Sequence, residues 1–213
     1  MPSSPYLALV PWVIFTLVAR RDSLSAATVA ALVGAVLVSV PSLRAGRPKI
    51  LEMASILAFA VFVIIAFAID PGHSSVLDRY ARAIAAATLA VIAFGSLLLT
   101  PFTEQYARES VPQEYWNSPR FKALNRRFTA LWGAVFALMA VSHTVAGAID
   151  TRRAETLFNW VIPIALLVWL IGYMDRERRK APHAESGREP VGTVTASPAR
   201  PAKGDRESAG RRQ

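Results

Sequence analysis

The sequence predicts an all-α, polytopic transmembrane helix bundle of about six spans, the first of them short. The 213-residue chain is 53% hydrophobic and only 18% charged, whereas soluble domains average about 45–50% apolar and about 25% charged residues. Long uncharged runs also alternate with short charged stretches along most of the chain. The absence of cysteine excludes a disulfide-stapled secreted domain and a thiolate metal site.

Five runs are long enough to cross a bilayer as helices, since a helix needs roughly 20 apolar residues to cross about 30 Å of hydrocarbon. The runs are continuously apolar, whereas the strands of a membrane barrel alternate. A helix also satisfies its own backbone hydrogen bonds in lipid. The runs are Ser23–Leu43, Met53–Ile69 (or from Ile50, across Glu52), Ala83–Thr103, Phe128–Ile149 and Thr156–Met174.

A sixth apolar segment, Tyr6–Ala19, lies near the N-terminus and is only 14 residues long. A signal peptide has a basic region before its apolar core, but no Lys or Arg precedes Arg20. We therefore interpret the segment as a short or re-entrant first span. Pro11 and Pro163 are predicted to kink the first and last spans, because proline interrupts helical hydrogen bonding.

Lys and Arg residues predict the orientation of this bundle, which covers residues 1–180. With six spans, one side carries 18 basic residues and the other carries 6, or 12 against 6 when only the four tail residues nearest the last span are counted. Cytoplasmic loops are enriched in Lys and Arg. Both termini and the long loop at residues 102–128 are therefore expected in the cytoplasm of a bacterium, at its inner membrane.

The remaining residues, 181–213, form a polar tail without an aromatic residue. Such a segment cannot bury enough apolar surface to offset its ordering entropy, so we predict a disordered cytoplasmic tail. Its basic residues can contact anionic lipid headgroups of the bilayer. Nucleic acid is not an expected partner, because no stacking aromatics accompany the charge.

Polar groups inside the predicted spans are few, and His143 is the only ionisable residue in the middle of one. Its neighbours Ser142 and Thr144 complete a candidate intramembrane polar site, because ionisable residues in spans commonly serve a function. The alternative is a neutral imidazole that hydrogen-bonds between helices. The three histidines of the chain cannot be combined into a metal cluster, and neither a metal nor a cofactor is expected.

The long loop is the most distinctive stretch and supplies a candidate interaction site. Glu104 and Arg108 have the spacing of a helical ion pair, and Ser118 followed by Pro119 is typical of a helix start. The set Glu104, Glu109 and Glu114 is interpreted as a solvated face in preference to a catalytic group, since no metal or nucleophile accompanies it. The candidate interaction residues are Glu104, Tyr106, Arg108, Glu109, Tyr115, Trp116 and Asn125.

Three stretches resemble the intracellular septation protein A family of small bacterial inner-membrane proteins. They are the run Pro11-Trp12-Val13-Ile14-Phe15 followed by Ala26-Ala27-Thr28, the basic turn from Arg44 to Met53, and the series Pro119, Asn125, Trp132, Phe136 and His143. The segment Trp160-Val161-Ile162-Pro163 and the stretch YARESVPQEYW depart from the family pattern, so a separate related branch fits equally. The resemblance implies a role in envelope maintenance or division.

The sequence is compatible with three functions. The leading one is a non-enzymatic membrane protein that binds other envelope or division proteins, because the spans are poor in polar groups while the loop is well built. The second is a small-molecule or ion transporter or channel that uses His143. The third is a membrane-interface lipid enzyme that uses the acidic residues of the loop.

Overall fold

The computed structural model describes residues 5–19, 24–68 and 74–179. Packing divides the chain into Met1–Asp175 and Arg176–Gln213; of the second unit, only the four residues 176–179 are described. The tail predicted to be disordered, 181–213, lies outside the described residues. Across the described ranges the chain is helical and contains no β-strand.

In the part of the chain that the structure describes, nine α-helices follow one another, with a short 3-10 turn and a π-helical turn between some of them. The α-helices are α1 (Pro5–Ala8), α2 (Val10–Val18), α3 (Leu24–Arg44), α4 (Ile50–Ala68), α5 (Ser74–Ser96), α6 (Phe102–Ala107), α7 (Pro119–Ile149), α8 (Arg152–Thr156) and α9 (Ile162–Arg179). The 3-10 turn is Gln113–Tyr115, and the π-helical turn is Leu157–Val161.

Among the described residues, four helices are long and apolar enough to cross a membrane, and this indicates a membrane protein. They are α3, α4, α7 and the continuous helix Arg152–Arg179, which joins α8, the π-helical turn and α9. Many of their large apolar side chains are exposed; Leu37, Ile64 and Val168, for example, are each about 65% exposed. In lipid, such side chains face hydrocarbon and contribute favourably to insertion. The N-terminal apolar helix is shorter, at Tyr6–Val18.

The helix α5 departs from its predicted bounds, because it begins at Ser74 and ends at Ser96 while the predicted span was Ala83–Thr103. The helix starts earlier because charged residues that precede the apolar run have partners in the fold. The guanidinium of Arg79, for example, lies 2.8 Å from the carboxylate of Asp150. The helix ends earlier because the chain turns before Pro101, where the Ser96 hydroxyl accepts a hydrogen bond from the Phe102 N–H at 3.2 Å.

Helices α5 and α7 run antiparallel, and two glycines of α7 allow α5 to approach it closely. A methyl group built on Gly133 would lie 2.8 Å from the Phe94 ring, and one built on Gly147 would lie 2.8 Å from the Tyr80 ring. The two contacts are 14 residues apart on both helices, which corresponds to about 21 Å of helix. Close approach at small residues is the usual way in which membrane helices pack.

Aromatic side chains fill the core between α2 and α4. Phe59 is 0% exposed, and its ring centroid lies 4.6 Å from that of Trp12 and 5.8 Å from that of Phe15. The Trp12 indole N–H donates to the Ser55 hydroxyl at 2.8 Å. The short helix α2 is therefore held both by ring packing and by a buried hydrogen bond.

The two prolines predicted to kink spans occupy helix starts or irregular turns. Pro11 is in the first turn of α2, where its missing N–H costs little. Leu9, the N-cap of α2, separates this helix from α1. Pro163 is the second residue of α9 and lies two positions after the end of the π-helical turn. Because proline has no N–H for the carbonyl four residues earlier, the irregularity upstream of Pro163 has a local cause.

Candidate functional site

Polar side chains gather at two opposite ends of the bundle. The loop end contains the connection 45–49 between α3 and α4 together with residues 97–118 between α5 and α7. The turn end contains the start of α5 and the connection Asp150–Thr151 between α7 and α8. Ion pairs join the elements at each end, Lys49 with Glu109 at the loop end and Arg79 with Asp150 at the turn end.

The ion pair at the loop end attaches the long loop to the start of α4. The Lys49 ammonium is ion-paired with the Glu109 carboxylate, and it also lies 4.3 Å from the centre of the Tyr106 ring. Lys49 is only 4% exposed. A buried charge requires such partners, because transferring one ion from water into a protein interior costs on the order of several kcal/mol.

Glu52 is a second buried charged group at this end, and it is 4% exposed. Its carboxylate accepts hydrogen bonds from the hydroxyl of Ser42 and, at 3.4 Å, from that of Tyr106. Burial raises the pKa of the Tyr106 phenol above its ordinary value, and the charge of Glu52 raises this pKa further. The phenol therefore stays protonated and remains a donor to Glu52.

Further hydrogen bonds fix α6 between α4 and α7. The Gln105 side-chain oxygen accepts from the Ile50 N–H at 2.8 Å and so satisfies a free donor at the start of α4. The Thr103 hydroxyl donates to the Asn125 carbonyl at 2.9 Å and lies 2.8 Å from the Thr129 hydroxyl. The base of the long loop is consequently part of the folded core.

The predicted helical pair and the predicted helix start in the loop are both confirmed. Arg108 donates to Glu104 at 2.5 Å, and the Ser118 hydroxyl caps α7 by accepting from the Phe121 N–H at 3.2 Å. The guanidinium of Arg108 lies 5.3 Å from the centre of the Trp116 ring, and the Trp116 N–H donates to the Val111 carbonyl at 2.9 Å.

The predicted interaction residues divide into a buried base and an exposed tip. Glu104, Tyr106 and Asn125 are buried and make internal contacts. Tyr115 is 43% exposed and lies in the tip, which we define as Pro112–Asn117. The three loop acids do not converge, because Glu104 pairs with Arg108, Glu109 pairs with Lys49 and Glu114 is exposed.

At the turn end, His143 is buried and contacts the π-helical turn. Its Nδ1 atom lies 2.7 Å from the Asn159 side-chain oxygen, and because an amide oxygen only accepts, this hydrogen bond requires a proton on Nδ1. The neighbouring Ser142 hydroxyl donates to the Phe158 carbonyl at 2.6 Å. Both hydrogen bonds go to residues of the π-helical turn, whose backbone does not follow the regular α-helical hydrogen-bond pattern.

Thr144, the third member of the predicted intramembrane site, lies on a different face of α7. It is exposed, and its hydroxyl donates to the Ala140 carbonyl of its own helix at 2.9 Å. Sequence reasoning missed Asn159, the partner of His143, as well as Lys49 and Glu52 at the loop end. A polar residue in an apolar run, four positions before Pro163, was the available signal for Asn159.

A polar cavity of about 400 Å³ opens at the turn end, and Asn159 lines it together with Arg82 and Glu155. Among the residues that the structure describes, no group of three potential metal-ligating side chains comes together. Comparisons with protein-family models, curated proteins and solved structures find no match.

Proposed function

We propose that the chain is an integral protein of a bacterial inner membrane that crosses the bilayer six times. The antiparallel path of α5 beside α7 supports a span at α5, because the two helices accompany each other over 14 residues. The docking of α2 on α4 through Trp12 supports a short first span. Together with the four long apolar helices, these two helices make six.

We also propose that the loop end faces the cytoplasm, with both chain termini on that side. The gathering of residues 45–49 and the long loop at one end of the bundle supports this alternation of spans. The excess of basic residues near the predicted spans, 12 against 6, favours the cytoplasm for that end.

Reporter fusions test this topology. A fluorescent protein that folds only in the cytoplasm is expected to fluoresce when it is fused after Arg179. Alkaline phosphatase, which is active only outside the cytoplasm, is expected to be active when it is fused after Asp150. A lack of fluorescence after Arg179, or a lack of phosphatase activity after Asp150, would contradict the proposed orientation.

For the molecular role, we propose a non-enzymatic protein that binds other membrane proteins of envelope maintenance or division through the tip of its long loop. The observation that carries this proposal is the contrast within the loop. Its base is locked by the Lys49–Glu109 ion pair and by the buried Tyr106, while Gln113, Glu114 and Tyr115 in the tip are exposed.

The tip is suited to binding because its conformation is already ordered in the free protein. The 3-10 turn Gln113–Tyr115 follows Pro112, and Trp116 is anchored by Val111 and Arg108. A preordered surface loses little conformational entropy on association, and tyrosine is among the residue types that contribute most at protein interfaces. The partner is expected to offer a pocket for Tyr115 and a basic group for Glu114.

A small-molecule or ion transporter is the second candidate, and the polar cavity beside Asn159 is the observation that favours it. We rank it second because the described core between the two ends is aromatic and aliphatic, as at Phe59, Trp132 and Phe136. The three loop acids do not converge on one site, which weighs against a lipid enzyme.

The role of the tip is tested by a Glu114→Lys, Tyr115→Ala double variant at the native locus. We expect it to reproduce the defects of a deletion strain in cell length, septation or envelope-stress tolerance, at an unchanged protein level. A photo-crosslinking residue at position 115 is expected to capture an envelope or division protein, while the same residue at the exposed position of Lys122 captures none. Wild-type morphology in the deletion strain, or normal function of the double variant, would refute the proposal.

A further inference from the structure

The polar cavity at the turn end has the properties of a ligand site that the proposed partner binding does not use. Its volume is about 400 Å³, within the range of about 300–1,000 Å³ that is common for small-ligand sites. It lies at the opposite end from the tip, between the start of α5, the end of α7 and the start of the last helix.

Charges of both signs line this cavity in equal number. The six charged lining residues are Asp78, Arg79, Arg82, Asp150, Arg152 and Glu155. A purely anionic or purely cationic ligand would meet repulsion from half of these groups. A ligand that carries a positive and a negative group close together would find a partner for each.

The two ion pairs of the cavity differ in the distance between their charged atoms. At the rim, Arg79 and Asp150 are 2.8 Å apart and both about half-exposed. Deeper in, the Arg82 side chain is 13% exposed, and its Nη1 atom lies 3.9 Å from the Glu155 carboxylate. A charge-assisted hydrogen bond is about 2.7–2.9 Å long, so the ion pair between Arg82 and Glu155 is longer than such a hydrogen bond.

The floor of the cavity offers a positioned hydrogen-bond donor. Asn159 is 9% exposed, and its side-chain oxygen is occupied by His143. Its amide N–H groups are therefore what the side chain can offer to a ligand. The nearby Ala146 and Gly147 also line the cavity and add little bulk to its wall.

The surroundings of the cavity indicate that its occupant has apolar parts. Each of the three segments that supply charged lining residues also carries a large exposed apolar side chain within three positions of them. These are Val76, Ile149 and Leu157, with exposed fractions of 64%, 49% and 45%. The inference rests on the six-span topology proposed above, in which the cavity opens at the ends of the spans, at the level of the lipid headgroups. The exposed apolar side chains beside it suit acyl chains.

We infer that this cavity binds the headgroup of a zwitterionic phospholipid, one that carries a phosphodiester and a primary ammonium group. The phosphate lies toward Arg82 and the N–H donors of Asn159, the ammonium lies toward Glu155, and the acyl chains follow the apolar side chains outside. Arginine matches phosphate oxygens with paired donors, which makes Arg82 the main determinant of the site.

Native mass spectrometry of the full-length protein in detergent tests this inference. The probes are two lipids with identical chains, one with a phosphoethanolamine headgroup and one with a phosphoglycerol headgroup. We expect the wild type to prefer the first lipid by about tenfold, which equals 1.4 kcal/mol. Arg82→Gln and Glu155→Gln are each expected to abolish this preference. Arg153→Gln, an exposed neighbour that does not line the cavity, is the matched control and is expected to retain it.

Several outcomes would overturn the inference. They are equal retention of the two lipids, an unchanged preference in both cavity variants, and binding of soluble glycerophosphoethanolamine without retention of the lipid. If Arg82→Gln fails to fold, the partly exposed Glu155→Gln variant decides the question. Failure here leaves the proposed role of the tip untouched, because the two sites lie at opposite ends of the bundle and are tested by different variants.

Discussion

Replacing Lys49 with alanine is expected to lower the free energy of unfolding by about 3 kcal/mol. The change removes the buried cation that pairs with Glu109 and lies against the Tyr106 ring. Loss of one partner from a buried pair is costly, because the remaining charge keeps its desolvation penalty. Unfolding followed by the helical circular dichroism signal in detergent measures the effect, and hydrogen exchange of α6 shows whether the long loop detaches.

The control for this variant is Lys122→Ala, since Lys122 is an exposed lysine near the start of α7. Its effect is expected to stay within about 0.5 kcal/mol. A double-mutant cycle with Glu109→Gln isolates the pair and is expected to give a coupling energy of about 1–3 kcal/mol. Equal stabilities of the two alanine variants would show that this ion pair does not hold the loop.

Replacing Phe59 with alanine is the second change with a large expected effect, a loss of about 3 kcal/mol. The ring is fully buried, and its centroid lies within 6 Å of those of Trp12, Phe15 and Phe62. In lipid, helices associate largely through such packing, so the cavity left behind forfeits contacts that nothing replaces. Thermal unfolding in detergent or nanodiscs measures the loss, and weaker anchoring of α2 is expected with it.

Phe67→Ala provides the matched control, because Phe67 lies on the same helix and is 68% exposed. Its side chain faces the surroundings of the bundle in both the folded and the dissociated state, so its removal is expected to change stability by less than about 0.5 kcal/mol. Comparable losses from Phe59→Ala and Phe67→Ala would contradict the assignment of the core and place the packing face of α4 elsewhere.

The membrane helices could be predicted closely where the apolar runs were uninterrupted. Observed α3, Leu24–Arg44, differs by one residue at each end from the predicted Ser23–Leu43. The start of α7 at Pro119 followed from Ser118, because the cap and the proline are local signals. The prediction was poorer at α5, since its first turns carry charges whose partners lie about 70 residues away in the chain.

The candidate sites could be predicted only in part. His143 was identified because a lone ionisable residue in an apolar run is visible in the sequence, but its partner Asn159 depends on how α7 packs against the π-helical turn. The residues of the long loop were identified as a set. Their division into a buried base and an exposed tip could not be predicted, because Lys49 and Glu52 reach the loop from another pair of helices.

Composition and the spacing of charges by themselves determined that this is a helical membrane protein, because hydrocarbon thickness and backbone hydrogen bonding act on each segment separately. The tertiary structure alone decided which polar groups are buried, which are exposed and which meet. The reason is physical: the burial of Lys49 or the pairing of His143 depends on side chains brought near by packing, and sequence separation carries no information about that distance.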